Sequence, residues 1–278
     1  MQEVLAGSLI DYIDFISRMT ELAVNYRGSK KPDEDMKPTV VRSWQRNRAI
    51  RDQSDRRSRP LELWEYEERL IENFQRQSLP FLESMPNCHL NWLAVAQHHQ
   101  LPTRLLDWTR NPLIALYFAA NNRDSHSTPD AWEDVFVFAW EIGNRPDGKG
   151  RMLPLDRVAS MRPRGKGLIA DDSAEADASR EVDGSTTNDG VYLFNPPNLS
   201  SRIASQEGLF SFEGQLSETA FPERAEREGL RLTRIRIPGA ARLEILKHLN
   251  RLGVETGKLF PDLPGLCAHQ KWVAEWQW

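Results

Sequence analysis

The densest chemistry in the chain lies in Gln97-His98-His99-Gln100-Leu101-Pro102-Thr103-Arg104-Leu105-Leu106-Asp107-Trp108-Thr109. Two adjacent imidazoles, a guanidinium, a carboxylate, amides and hydroxyls stand there between apolar runs, Trp92 to Ala96 before and Pro112 to Ala120 after. Apolar flanks place the block in or beside a core, where a polar group without a partner is costly. Such a cluster is either a structural network or a site. His98 or His99 with Asp107 would make an acid–base pair. Adjacent helical residues point about 100° apart, so at most one imidazole faces the Asp107 side. Arg104 and Asp107 are three apart and can simply pair with each other, while Thr103 and Thr109 read as turn or cap residues.

Two shorter segments carry further candidates. Tyr26-Arg27-Gly28 puts a planar guanidinium at a strand end, suited to phosphate or carboxylate, beside a glycine that permits close backbone approach. Ser201 to Phe210 reads as the start of a strand over Ile203–Phe212, with Arg202, Ala204 and Gln206 on one face and Ile203, Ser205 and Glu207 on the other. Gln206 offers an amide, and Glu207 an acid whose orientation the pattern leaves open.

The elements that must position these groups read as follows. Apolar residues three or four apart, Ile10, Ile13, Phe15, Ile16 and Met19 among them, predict an amphipathic helix from Ser8, its N-cap, to Val24. Val24 to Gly28 is a short strand, and the arginine-rich stretch from Arg46 to Arg59 a solvated loop. Helices follow over Leu61–Glu83, broken at Pro80, and Trp92–His99. Asn111-Pro112 opens a third, reaching Asn121, as a cap followed by proline at the first helical position. Val135 to Trp140 is a buried strand, Val191 to Phe194 another, and Leu230 to Pro238 alternates as a half-buried one. The acidic Ala170–Gly190 stretch reads as a flexible insertion. A helix over Ala240–Leu252 and a tryptophan-rich tail follow. Helices early and strands late predict an α+β fold, a single domain over 1–278 with its core at 8–238 and a helical extension at 239–278.

Composition narrows the function classes. With 278 residues, 40% apolar and 27% charged, the chain is of ordinary globular character and long enough for a sizeable core. A net charge of -4 argues against a global nucleic-acid footprint. No apolar run reaches bilayer length, so no membrane partner is expected. The first residues lack the basic start and long apolar core of a secretory leader, and Cys88 and Cys267 are isolated. Both points lead us to expect a reducing, cytoplasmic setting and no metal site.

The order Tyr26-Arg27-Gly28, then the Gln97–Thr109 block continuing through Asn111-Pro112 to Tyr117-Phe118-Ala119, then Arg202-Ile203 with Gln206, Gly208 and Phe210, resembles the FRG domain family. That family is named for its N-terminal aromatic-Arg-Gly. The resemblance runs from about Asp11 to Phe212, and Leu259 to Leu263 is similar to a late family segment. One departure is Gln100, where the family usually has glycine after the histidine pair. More remotely, the order of motifs resembles ADP-ribosyltransferase-like domains, which bind NAD in a split β-sandwich. That resemblance implies helices packed on a split antiparallel sheet, NAD as substrate, and a role as a bacterial toxin or antiphage effector. By position, Tyr26, Arg27 and Gly28 would hold the dinucleotide, Arg27 through its phosphates. The block with Thr103 and Arg104 would shape the nicotinamide-ribose pocket, and Trp108 or Tyr117 would stack on the ring. His98, His99, Asp107, Gln206 and Glu207 are the catalytic candidates, with a protein or nucleic-acid acceptor. A His/Asp hydrolase or nuclease is the first alternative. The second is a non-catalytic module that binds a nucleotide or phage component through Arg27, Arg42 and Arg104.

Overall fold

A computed structural model describes residues 1–20, 23–31, 35–52, 59–82, 84–121, 128–142, 150, 152–164, 167–170, 190–196 and 201–276. Its first half runs β1 (Gln2–Leu5), α1 (Leu9–Ser17), β2 (Val24–Ser29), α2 (Thr39–Asp52), α3 (Leu63–Ser78), α4 (His89–His98), β3 (Leu106–Thr109), α5 (Pro112–Ala120) and β4 (Val135–Glu141). The second half runs α6 (Leu155–Ser160), β5 (Met161–Arg164), β6 (Gly167–Ala170), β7 (Val191–Phe194), α7 (Ser201–Ser205), β8 (Gly208–Glu213), α8 (Phe221–Arg227) and β9 (Arg231–Ile237). Three helices close it: α9 (Arg242–Arg251), α10 (Thr256–Leu259) and α11 (Leu263–Trp276).

Seven strands form one sheet in the order β1-β9-β4-β2-β3-β8-β7, while β5 and β6 pair apart from it. Among the described residues of the large sheet, only β1 on β9 is parallel. The fold is α+β with a mostly antiparallel sheet. β4 is central because both of its faces are apolar: Val135, Val137 and Ala139 enter one core with α1, α5 and α9, and Phe138 and Trp140 enter another with Phe221 of α8. A third core lies under α3 and α4, where Ile71, Leu90 and Leu93 meet Phe194, Phe210 and Phe212.

The caps agree with the sequence reading. Ser8 Oγ accepts from Asp11 N, and Asn111 Oδ1 accepts from Leu113 N and Ile114 N. α1 is shorter than predicted and turned: Leu9 and Tyr12 are buried, whereas Ile10 and Ile13 are exposed. Phe15, Ile16 and Met19 pack on the core as expected, joined by Leu9 and Tyr12 in place of Ile10 and Ile13. The predicted arginine loop is a helix as far as Asp52, because Val40, Val41 and Trp44, upstream of the arginines, bury against Leu63. The rest of that stretch, residues 53–58, lies outside the described residues, as do residues 171–189 of the acidic insertion. α3 carries a reciprocal cap between Glu62 and Glu65 and gives way to a 3-10 turn holding Pro80. The strand predicted over Ile203–Phe212 divides into α7 and β8, joined by a left-handed turn at Glu207 with φ 47°. The C-terminal helices are no mere extension, since Leu249, Leu259 and Trp272 join the core around α5.

Candidate functional site

The sheet parts between β2 and β3. β2 is paired along its whole length with β4, and β3 along its whole length with β8, yet β2 and β3 share only the pair Tyr26–Thr109. The parting opens a cleft of about 400 Å³. Arg27 and Lys30 line it from β2 and the turn after it, Arg42 from α2, and Gln97 and His98 from α4; Asp107 comes from β3, Phe118 from α5, and Arg202 and Gln206 from α7 and its turn. Three segments remote in sequence thus face one cavity.

Arg27 braces the gap. Its guanidinium donates to Asp107 O at 2.6 Å, reaches Asp107 Oδ2 at 3.5 Å, and donates to Asp35 O at 3.1 Å. Asp35 in turn accepts from Ser29 Oγ, Lys30 N and Lys31 N, which closes the turn after β2. Alternation along β2 sends the Tyr26 ring into the core. Gly28 lets α5 lie against β2, since a Cβ there would stand 2.3 Å from Ala115 O and 2.5 Å from Ala119 N.

A relay of hydrogen bonds sets the carboxylate of the central block. Thr103 Oγ1 donates to Gln97 Oε1 at 2.8 Å, which leaves Gln97 Nε2 to donate to Asp107 Oδ2 at 3.1 Å. Thr39 Oγ1 and Val40 N both donate to Thr103 O, tying α2 to the same block. Asp107 remains 58% exposed at its side chain, open to the cleft. His98 lines the cleft, and its pKa is held below the ordinary value by burial and then by the charges of His99 and Arg202. His99 turns outward and meets His98 only edge to face. Among the described residues no hydrogen bond joins either imidazole to Asp107.

Residues 23–128 match the family model of the FRG domain. The chain carries an FRG domain. Comparison with curated proteins and with solved structures finds no match. The FRG match takes in β2, α2, α3, α4, β3 and α5, hence the walls bearing Arg27, Arg42, His98, Asp107 and Phe118. Arg202 and Gln206 come from beyond it. The Gln100 departure also has a physical meaning: Gln100 stands at φ 65° just past α4, with Leu101 N donating to Ala96 O and Gln100 N to Gln97 O. That is a Schellman turn, where glycine is the unstrained residue.

Several site residues expected from sequence do other work. Arg104 faces neither Asp107 nor the cleft; it is buried against Glu67, whose carboxylate takes Arg104 N at 2.8 Å, Nε at 2.7 Å and a close NH2. Thr103 is buried and acts through Gln97. The Trp108 ring lies on the other face of β3, packed on Trp140 and Phe221 with its Nε1 donating to Ser211 Oγ. Tyr117 points toward the C-terminal helices, sharing a 2.5 Å hydrogen bond with Thr256. Phe118, one residue on, lines the cleft instead. Glu207 is exposed and accepts from Asn111 Nδ2, leaving Gln206 at the cavity. Lys30 and Asp35 gave no sequence signal of their own, because only the turn after β2 brings them to Arg27.

Charge in the cleft is unbalanced, with Arg27, Lys30, Arg42 and Arg202 against Asp35 and Asp107. Arg42 approaches Asp35 at only 3.8 Å. Such a cavity favours an anionic ligand. Among the described residues no three His, Cys, Asp or Glu side chains are grouped to hold a metal, and no helix is long and apolar enough to cross a membrane.

Proposed function

We propose that the cleft holds a nucleotide and that the chain acts on NAD as an ADP-ribosyltransferase-like enzyme. One observation carries this reading: an exposed carboxylate, Asp107, is fixed in a basic cleft where the sheet parts next to the Arg-Gly strand. The order of motifs adds its resemblance to NAD-splitting folds. The Arg42 side would take the pyrophosphate, for the Arg27 guanidinium is largely committed to carbonyl oxygens.

In the reaction the C1′–N bond to nicotinamide breaks and its electron pair leaves with neutral nicotinamide. Positive charge then develops at the ribose C1′ and O4′. Asp107, set by Gln97, faces that charge, and a preformed carboxylate needs no reorganisation as the charge appears. The acceptor forms the new bond to C1′ and loses a proton, which His98, neutral near pH 7 because its pKa is depressed, is placed to accept. Gln206 supplies no charge, so the carboxylate role falls to Asp107 and not to the late position.

The test incubates the full chain with NAD labelled in its adenylate part and separate protein, DNA and RNA pools, following nicotinamide release and label transfer. We expect release with at least one pool and a loss of about 100-fold in Asp107→Asn at an unchanged melting temperature. No release with any pool refutes the transferase reading.

A further inference from the structure

The cleft has two unlike sides. On the β2 side stand Arg27, Lys30, Asp35 and Arg42; across from them, on α7 and the turn before β8, stand Arg202, Ile203 and Gln206. That second side is backed by the C-terminal helices, outside the FRG match. The Arg202 guanidinium carbon lies 4.4 Å from the Phe260 ring centre, and Phe118 meets the same ring edge to face at 6.0 Å. Gln206 Nε2 donates to Leu259 O at 3.0 Å. Hence α10 and the residue after it hold both cleft residues in place.

We infer that Arg202, Phe118 and Gln206, anchored by Leu259 and Phe260, form a stacking subsite for a neutral nucleobase bearing an exocyclic amino group. The inference rests on the nucleotide reading above and adds which part of the nucleotide lies where. A guanidinium held on one aromatic ring presents a flat cation to a second ring, a favourable partner for a base. The same cation repels a pyridinium, which directs nicotinamide toward Asp107 and the base toward Arg202. With Nε2 committed to Leu259 O, the Gln206 carbonyl oxygen, which has no partner among the described residues, accepts a hydrogen bond. An exocyclic amino group donates one, whereas an oxo group in its place does not.

Isothermal titration of the full chain with adenosine 5′-monophosphate, inosine 5′-monophosphate and ribose 5-phosphate tests this without any variant. We expect the adenine nucleotide to bind about 10- to 100-fold more tightly than ribose 5-phosphate. It should also bind about 10-fold more tightly than the inosine nucleotide. Arg202→Met should bring the first ratio toward one, and Gln206→Leu the second. If the adenine nucleotide binds no better than ribose 5-phosphate, or does not bind, the subsite is refuted. If it is preferred while NAD releases no nicotinamide with any pool, the subsite stands and the transferase reading falls.

Discussion

Breaking the Glu67–Arg104 pair is the sharpest test of the distinction between site and scaffold. Both side chains are only 3% exposed. Glu67→Ala removes the acceptor for Arg104 N and Nε and the partner of NH2, leaving the guanidinium one distant carbonyl, Gly214 O at 3.5 Å. A buried charge stranded in this way costs about 3–5 kcal/mol. Unfolding entropy of about 2.1 cal/mol/K per residue amounts to roughly 0.6 kcal/mol/K for a chain of this length, so the melting temperature should fall by about 5–8 °C. Replacing both partners, Glu67→Leu with Arg104→Met, removes the stranded charge. It leaves mainly the Arg104 N–H without an acceptor, about 1–3 kcal/mol. The assay is a double-mutant cycle by urea unfolding at 25 °C, read by tryptophan fluorescence. Single variants costing under about 1 kcal/mol, or a double variant costing the sum of the two, would refute the reasoning. A ligand role for Arg104 would instead show as lost binding at full stability.

Gly28→Ala should cost about 3 kcal/mol in thermal unfolding, because backbone atoms of α5 occupy the space its methyl needs; wild-type stability would contradict that packing. Gln100→Gly should raise stability by about 0.5–1 kcal/mol by relieving the left-handed backbone, and a drop in melting temperature would count against it. Half-buried His89 and buried Glu213 oppose each other with pH. His89 is pushed down to about 4 by burial, so the unfolded chain binds its proton first and stability is lost as pH falls from about 6.5 to 4. Glu213 is pushed up to about 7 by burial, so the folded chain binds its proton first and stability is lost as pH rises from about 4.5 to 7. The two nearly cancel in the wild type. His89→Gln should therefore grow more stable on acidification from pH 7 to 4.5, and Glu213→Gln less stable, as read by urea midpoints; identical profiles for all three proteins would sink the assignment.

The sequence was most legible where local chemistry and tertiary packing agree. Asn111-Pro112 announced α5, and the alternation from Leu230 marked β9, because caps and two-residue periods are written into neighbouring side chains. The break before β8 was illegible: the residues alternate as a strand would, yet Ser201–Ser205 is a helix and a left-handed φ at Glu207 turns the chain into the strand. α2 was misread because its anchors, Val40, Val41 and Trp44, lie just upstream of the arginines that dominate its appearance. Within the site, Arg27, His98, Asp107 and Gln206 were named from sequence and do line one cleft. Arg104 was misassigned because its partner, Glu67, lies 37 positions away on α3, beyond the reach of local spacing. Tyr117 and Phe118 are adjacent on one helix, so choosing the ring that faces the cleft required knowing which side of α5 rests on Gly28.

The lone register pair between β2 and β3 also decides where this protein can be cut. A recombinant fragment trimmed to residues 23–128 keeps those two strands and discards β4 and β8, the neighbours with which each makes its full ladder. Its signature motifs would survive on a chain whose sheet no longer exists, with both strands left as bare edges prone to aggregate. Expression boundaries for this protein belong outside the stretch that matches the FRG domain, with β9 and the closing helices retained.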